Sequence, residues 1–73
     1  MSVIYLRKNS TLACFTQFKK NNRTARYITY FKVTGDSFEK IESRKVSKLN
    51  GNNAYKKLVG NGYVVVSKKV VEE

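Results

Sequence analysis

Thr24-Ala25-Arg26-Tyr27-Ile28-Thr29-Tyr30-Phe31-Lys32-Val33 is the stretch that decides the fold. It is rich in β-branched and aromatic residues, which suit a pleated, half-buried surface. Successive side chains of a strand point to opposite faces. Ala25, Tyr27, Thr29, Phe31 and Val33 therefore form one face, apolar enough for a core. Arg26, Ile28, Tyr30 and Lys32 form the other, where cations alternate with an aliphatic and an aromatic side chain.

Working toward the N-terminus, Lys20-Asn21-Asn22-Arg23 carries a turn signal, because Asn tolerates positive φ and bonds its own backbone. A second apolar run, Thr11 to Lys19, precedes it. Lys8-Asn9-Ser10 is a further turn, and Val3 to Arg7 is a third strand-length run. Connections this short force antiparallel pairing, so the three runs predict a meander.

Toward the C-terminus, Thr34-Gly35-Asp36-Ser37 is a hairpin-loop composition, and residues 37–48 admit two readings. As a strand, Ser37 to Glu42 returns from that loop. As a helix, Asp36 caps it, Phe38, Ile41, Val46 and Leu49 share a face, and Gly51 stops it. The hairpin is the favoured reading. Asn53 to Val59 then predicts a short helix with Ala54, Tyr55 and Leu58 on one face and Lys56 and Lys57 pointing away. Gly60-Asn61-Gly62 ends it. Tyr63-Val64-Val65-Val66-Ser67 reads as a strand apolar on both faces, hence central or covered on both sides. The expected architecture is an α+β single domain spanning residues 1–73. It is a small antiparallel β-meander, as a curved sheet or open barrel, with one short helix, in the order β-β-β-β-α-β.

Seventy-three residues suffice for one domain with a thin core. The hydrophobic share of 41% favours folding over disorder. Cys14 is the single cysteine and histidine is absent, so neither an intramolecular disulfide nor a zinc site of the usual kind can form within one chain. No cofactor is expected. No apolar run is long enough to span a bilayer, and the opening Met1 to Lys8 is too short for a signal peptide. These features predict a cytoplasmic (or nuclear, or host-cytoplasmic) protein that is not secreted and has no membrane or small-molecule substrate among its partners.

Enzymatic function is not expected. Acid–base work near neutral pH usually needs histidine or paired carboxylates. Asp36, Glu39 and Glu42 sit beside Lys40, Arg44 and Lys45 and read as local charge balance. Cys14 lies mid-strand in Leu12-Ala13-Cys14-Phe15 and reads as a small buried apolar residue. Gly60-Asn61-Gly62 lacks the phosphate-loop pattern. The RNA-recognition-motif signature, zinc-finger spacing and heptads are also absent.

The dominant signal is charge. Fifteen Lys and Arg against five Asp and Glu give a net +10, and residues 1–34 contain no acid. Self-repulsion at that charge is relieved by an acidic partner. If Phe15, Gln17 and Lys19 share an outer face with Arg26, Ile28, Tyr30 and Lys32, a basic and partly aromatic sheet surface results. That surface suits single-stranded nucleic acid: Lys19, Lys20, Arg23, Arg26 and Lys32 would meet phosphates, Phe15 and Tyr30 would stack on bases, and the helical pair Lys56 and Lys57 would add charge. Lys68 and Lys69, after the last strand, read as solvated. The alternative is a small basic adaptor or inhibitor, such as a viral accessory protein, that docks on an acidic protein surface.

Overall fold

A computed structural model describes the backbone of residues 1–70 and the side chains of residues 1–68; Glu72 and Glu73 and the side chain of Lys69 lie outside the described set. The elements are β1 (Ser2–Lys8), β2 (Thr11–Lys20), β3 (Arg23–Thr34), β4 (Ser37–Val46), α1 (Lys48–Gly60) and β5 (Val64–Val70). The expected α+β order is therefore the observed one. The five strands form one antiparallel sheet in the order β4-β3-β2-β1-β5. Residues 37–46 are a strand, as the hairpin reading holds.

Each of the three hairpins closes with a two-residue loop. Lys8 pairs with Thr11, Lys20 with Arg23, and Thr34 with Ser37. The loop Asn21-Asn22 has φ of 53° and 62°, the double left-handed conformation of a type I′ turn, whose twist matches that of the flanking strands. Asn9 and Gly35 supply the positive φ in the other two loops.

The helix begins at Lys48, five residues earlier than the periodicity of Ala54, Tyr55 and Leu58 indicates. Ser47 caps it: its hydroxyl accepts from the Asn50 N–H at 3.2 Å, and its carbonyl from the Gly51 N–H at 2.8 Å. The Asn50-Gly51-Asn52-Asn53 cluster, which reads as a turn, is thus a helical turn. Gly51 is buried there, and a Cβ at that position would stand 3.4 Å from the Val46 side chain. The lack of a side chain lets the first turn settle onto the end of β4. At the other end, the Tyr63 N–H reaches the Leu58 carbonyl and the Gly62 N–H the Val59 carbonyl. With Gly62 at φ 96°, this is a Schellman stop. Lys8 adds a hydrogen bond from its ammonium to the Asn61 carbonyl, placing positive charge at the negative end of the helix dipole.

Strand β4 forms one edge of the sheet and β5 the other. The chain between them must cross the sheet, and α1 makes that crossing over one face. Ala54, Tyr55 and Leu58 are half-buried against this face, while Lys56 and Lys57 are exposed. The deepest core side chains, Leu6, Ala13 and Ile28, lie under the helix and are 0–1% exposed. On the opposite face Val3, Leu12, Cys14 and Val33 are also buried, but only beneath neighbouring side chains of the sheet. Cys14 is a free, buried thiol, in keeping with its apolar reading.

Two sequence-based expectations are corrected. The apolar run Val64-Val65-Val66 is neither central nor covered: β5 is an edge strand, and the three valines are 63%, 43% and 55% exposed. After crossing the sheet the returning chain pairs with the outer side of β1, which leaves β5 with a strand neighbour on one side alone. The second correction concerns the faces of the sheet.

Candidate functional site

Cross-strand partners project to the same side of a sheet, so the register sorts the side chains into two faces. Phe15 pairs with Ile28, Ala13 with Tyr30, and Gln17 with Arg26, so these residues do share a face as expected. It is, however, the face that α1 covers. The Phe15 ring meets the Tyr55 ring edge-on, with centroids 5.7 Å apart and planes at 76°. Tyr30 is half-buried beside the helix, and Arg26 is held by a 3.2 Å hydrogen bond from Nε to Gln17 Oε1. Phe15 and Tyr30 are therefore not rings on an open platform. Alternation divides a strand into two faces without stating which one the helix will choose.

The face assigned to the core is the helix-free one. Val3, Tyr5 and Arg7 of β1 pair with Thr16, Cys14 and Leu12 of β2, which pair in turn with Tyr27, Thr29 and Phe31 of β3. Lys40 and Phe38 of β4 continue the surface opposite Phe31 and Val33, and Lys45 opposite Tyr27. Phe18 and Ala25, then Lys20 and Arg23, extend it toward the β2–β3 turn.

Five of the chain's nine aromatic side chains thus lie on this face: Tyr5, Phe18, Tyr27, Phe31 and Phe38. The first four are half-buried and Phe38 is 61% exposed. They form two groups. Phe18 and Tyr27 stack with centroids 5.7 Å apart and planes 10° from parallel. Tyr5, Phe31 and Phe38, together with Leu12 and Val66, line an open hollow of about 550 Å³ with Arg7 at its rim. Arg7 is oriented by a 3.0 Å hydrogen bond from Nε to the Asn9 carbonyl. Residue counts explain how one hollow engages both edge strands: Ile41 and Val66 are extra residues in β4 and β5, and such bulges bend and twist the strands that carry them.

Cations stand on both faces, whereas the described strand carboxylates stand on one. Arg7, Lys20, Arg23, Lys40 and Lys45 project from the helix-free face and are all exposed. Among the described residues no carboxylate shares it. Asp36 sits in the β3–β4 turn, while Glu39 and Glu42 pair with Lys32 and Tyr30 on the helix-bearing face, where Glu42 also meets Arg44 at 3.3 Å. Of the residues singled out in the sequence, Lys20 and Arg23 belong to the helix-free surface. Lys19, Arg26, Lys32, Phe15 and Tyr30 belong to the opposite one, and Lys56 and Lys57 ride on the helix. Lys40, Lys45, Tyr5 and the Phe18–Tyr27 pair escaped sequence reasoning. For Phe18 and Tyr27 the signal was present in the alternation of β2 and β3, whereas Tyr5, Lys40 and Lys45 join them through the register of β1 and β4.

Among the described residues no three His, Cys, Asp or Glu side chains gather into a metal-binding group, and no helix is long and apolar enough to cross a membrane. No known protein family, curated protein or solved structure matches the chain.

Proposed function

We propose that this protein binds single-stranded nucleic acid, without catalysis, on the sheet face that the helix leaves bare. The observation that supports the reading is that five of the nine aromatic rings and five of the fifteen cations share that face with no described carboxylate among them. Lysine and arginine neutralise phosphates and release counterions, and each ring offers a stacking surface to any base. Duplex bases already stack on one another, so the rings favour a single strand. From Arg23 to Phe31 the surface runs about 26 Å at the rise of a β-strand, room for roughly four nucleotides. In this reading the strand enters past Lys20 and Arg23, lies over Phe18 and Tyr27, and ends with a base in the hollow of Tyr5, Phe31 and Phe38.

The test is fluorescence anisotropy of labelled oligonucleotides over a range of salt concentrations. Binding through all five cations gives a slope of about −3.5 in log affinity against log salt, from roughly −0.7 per phosphate contact on a single strand. Equal affinity for duplex and single strand, or affinity indifferent to salt, rejects the reading.

One observation favours a second reading, in which the chain docks on an acidic protein surface. The outer edge of β5 has no strand partner among the described residues and exposes Val64, Val65 and Val66 beside Lys68. Such an edge accepts an added strand from another chain. Partners captured from cell extract and retained after nuclease treatment would favour this reading over the first.

A further inference from the structure

The helix-bearing face holds a second concavity, separate from the proposed nucleic-acid surface. It lies between α1 and the β3–β4 pair and encloses about 570 Å³, within the size range of small-molecule sites. Its apolar lining is half-buried Ala54 and Leu58 of the helix, with Ile28, 1% exposed, packed beneath. Its rim is polar and basic, formed by Tyr30, Arg44, Lys45, Asn50, Lys57 and Asn61.

The rim groups are largely uncommitted. Tyr30 Oη, Lys57 Nζ and the side-chain amides of Asn50 and Asn61 have no hydrogen-bond partner among the described residues. Arg44 makes one exposed contact, with Glu42 at 3.3 Å, and a pair of that kind holds its partner weakly. An anion near the end of a helix ordinarily meets the negative pole of the dipole. Here Asn61, Gly62 and Tyr63 N–H groups occupy the last carbonyls, and Lys8 and Lys57 bring positive charge to the same turn.

We infer that this groove binds a small phosphate ester of mononucleotide size, its flat apolar body over Ile28, Ala54 and Leu58 and its phosphate between Arg44 and Lys57. Guanidinium and ammonium donors make charge-assisted bonds to phosphate oxygens, and the two amides and the phenol suit the edge of a base or sugar hydroxyls. The proposal departs from the sequence-based expectation of no small-molecule substrate. It does not rest on the nucleic-acid reading: of its lining residues only Lys45 belongs to the helix-free face.

The experiment is an NMR titration of the full chain with adenosine monophosphate, with adenosine and inorganic phosphate as separate probes. Saturable shifts confined to residues 28–30, 44–46 and 50–61 are expected, with the two fragments binding at least about tenfold more weakly than the ester. Lys57→Gln and Arg44→Gln should each weaken the ester about tenfold or more, the fold-change for losing a charge-assisted bond. Both positions are exposed, so neither change threatens folding. Tyr27→Ala, on the other face, should leave ester binding unchanged. Absence of binding at millimolar ester, shifts spread over all lysine-bearing segments, or inorganic phosphate binding as well as the ester would each overturn the inference.

Discussion

Phe18 and Tyr27 stack diagonally across β2 and β3, Phe18 opposite Ala25 and Tyr27 two residues further along, with ring planes 10° from parallel. The pair stands on the sheet face that α1 does not cover, so its packing serves no helix–sheet interface. It shelters small neighbours and presents a flat aromatic surface beside Lys20, Arg23 and Lys45.

Tyr27→Ala removes half of that surface. The expected loss is about 1–3 kcal/mol of single-strand affinity, roughly 5- to 150-fold. Tyr27→Phe should retain nearly all of it, because stacking needs the ring and not the hydroxyl. Anisotropy titrations of both variants, with circular dichroism to confirm the fold, check the prediction.

Phe15→Leu should act differently. Its ring contacts Tyr55 under the helix, so the change should lower stability by about 1 kcal/mol through the lost aromatic contact while affinity for oligonucleotides stays within twofold. Urea unfolding and anisotropy together separate the two effects.

Ile28 is the pivot of the core, 1% exposed between β2, β4 and the helix. Ile28→Ala should cost about 2–5 kcal/mol, the range for deleting buried aliphatic side chains. A domain of this size has little stability beyond that, so a large fall in the urea midpoint or outright unfolding at 37 °C is expected.

The helix ends should be sensitive in proportion to their caps. Ser47→Ala removes the acceptor for the Asn50 N–H and should cost about 1 kcal/mol. Gly62→Ala forces a side chain onto φ 96° and should cost at least about 1 kcal/mol, although the space around it is open apart from the Lys8 stem. In contrast, Asn22→Gly places the favoured glycine in the type I′ loop and should stabilise by a few tenths to about 1 kcal/mol. Thermal melts of the three variants give both signs in one experiment.

Much of the fold is legible in the residues. The Asn-Asn loop, the alternation of β3, and the Gly-Asn-Gly stop each act locally, and local chemistry is what a sequence exposes most directly. What escapes is decided by long-range geometry. Ile28 and Tyr30 sit between Arg26 and Lys32, so their face reads as solvated; in the fold those two cations stand toward the ends of β3 and the helix covers what lies between. Val64 to Val66 read as interior, yet β5 pairs with the outer side of β1 and so becomes an edge. Asn50 to Asn53 read as a turn, yet Gly51 packs against Val46 inside the helix. The alternation within each strand was therefore visible, whereas the side of the sheet that the helix covers was not.

The most direct measurement is a heteronuclear NMR titration of the full chain with a short single-stranded oligonucleotide. The helix-free face predicts the largest shifts at the Tyr5, Phe18, Tyr27 and Phe31 side chains and at the amides around Lys20, Arg23, Lys40 and Lys45, with Ile28, Phe15 and Tyr55 nearly still. Shifts centred on Phe15, Tyr30 and α1, or none at all at low salt, would contradict it.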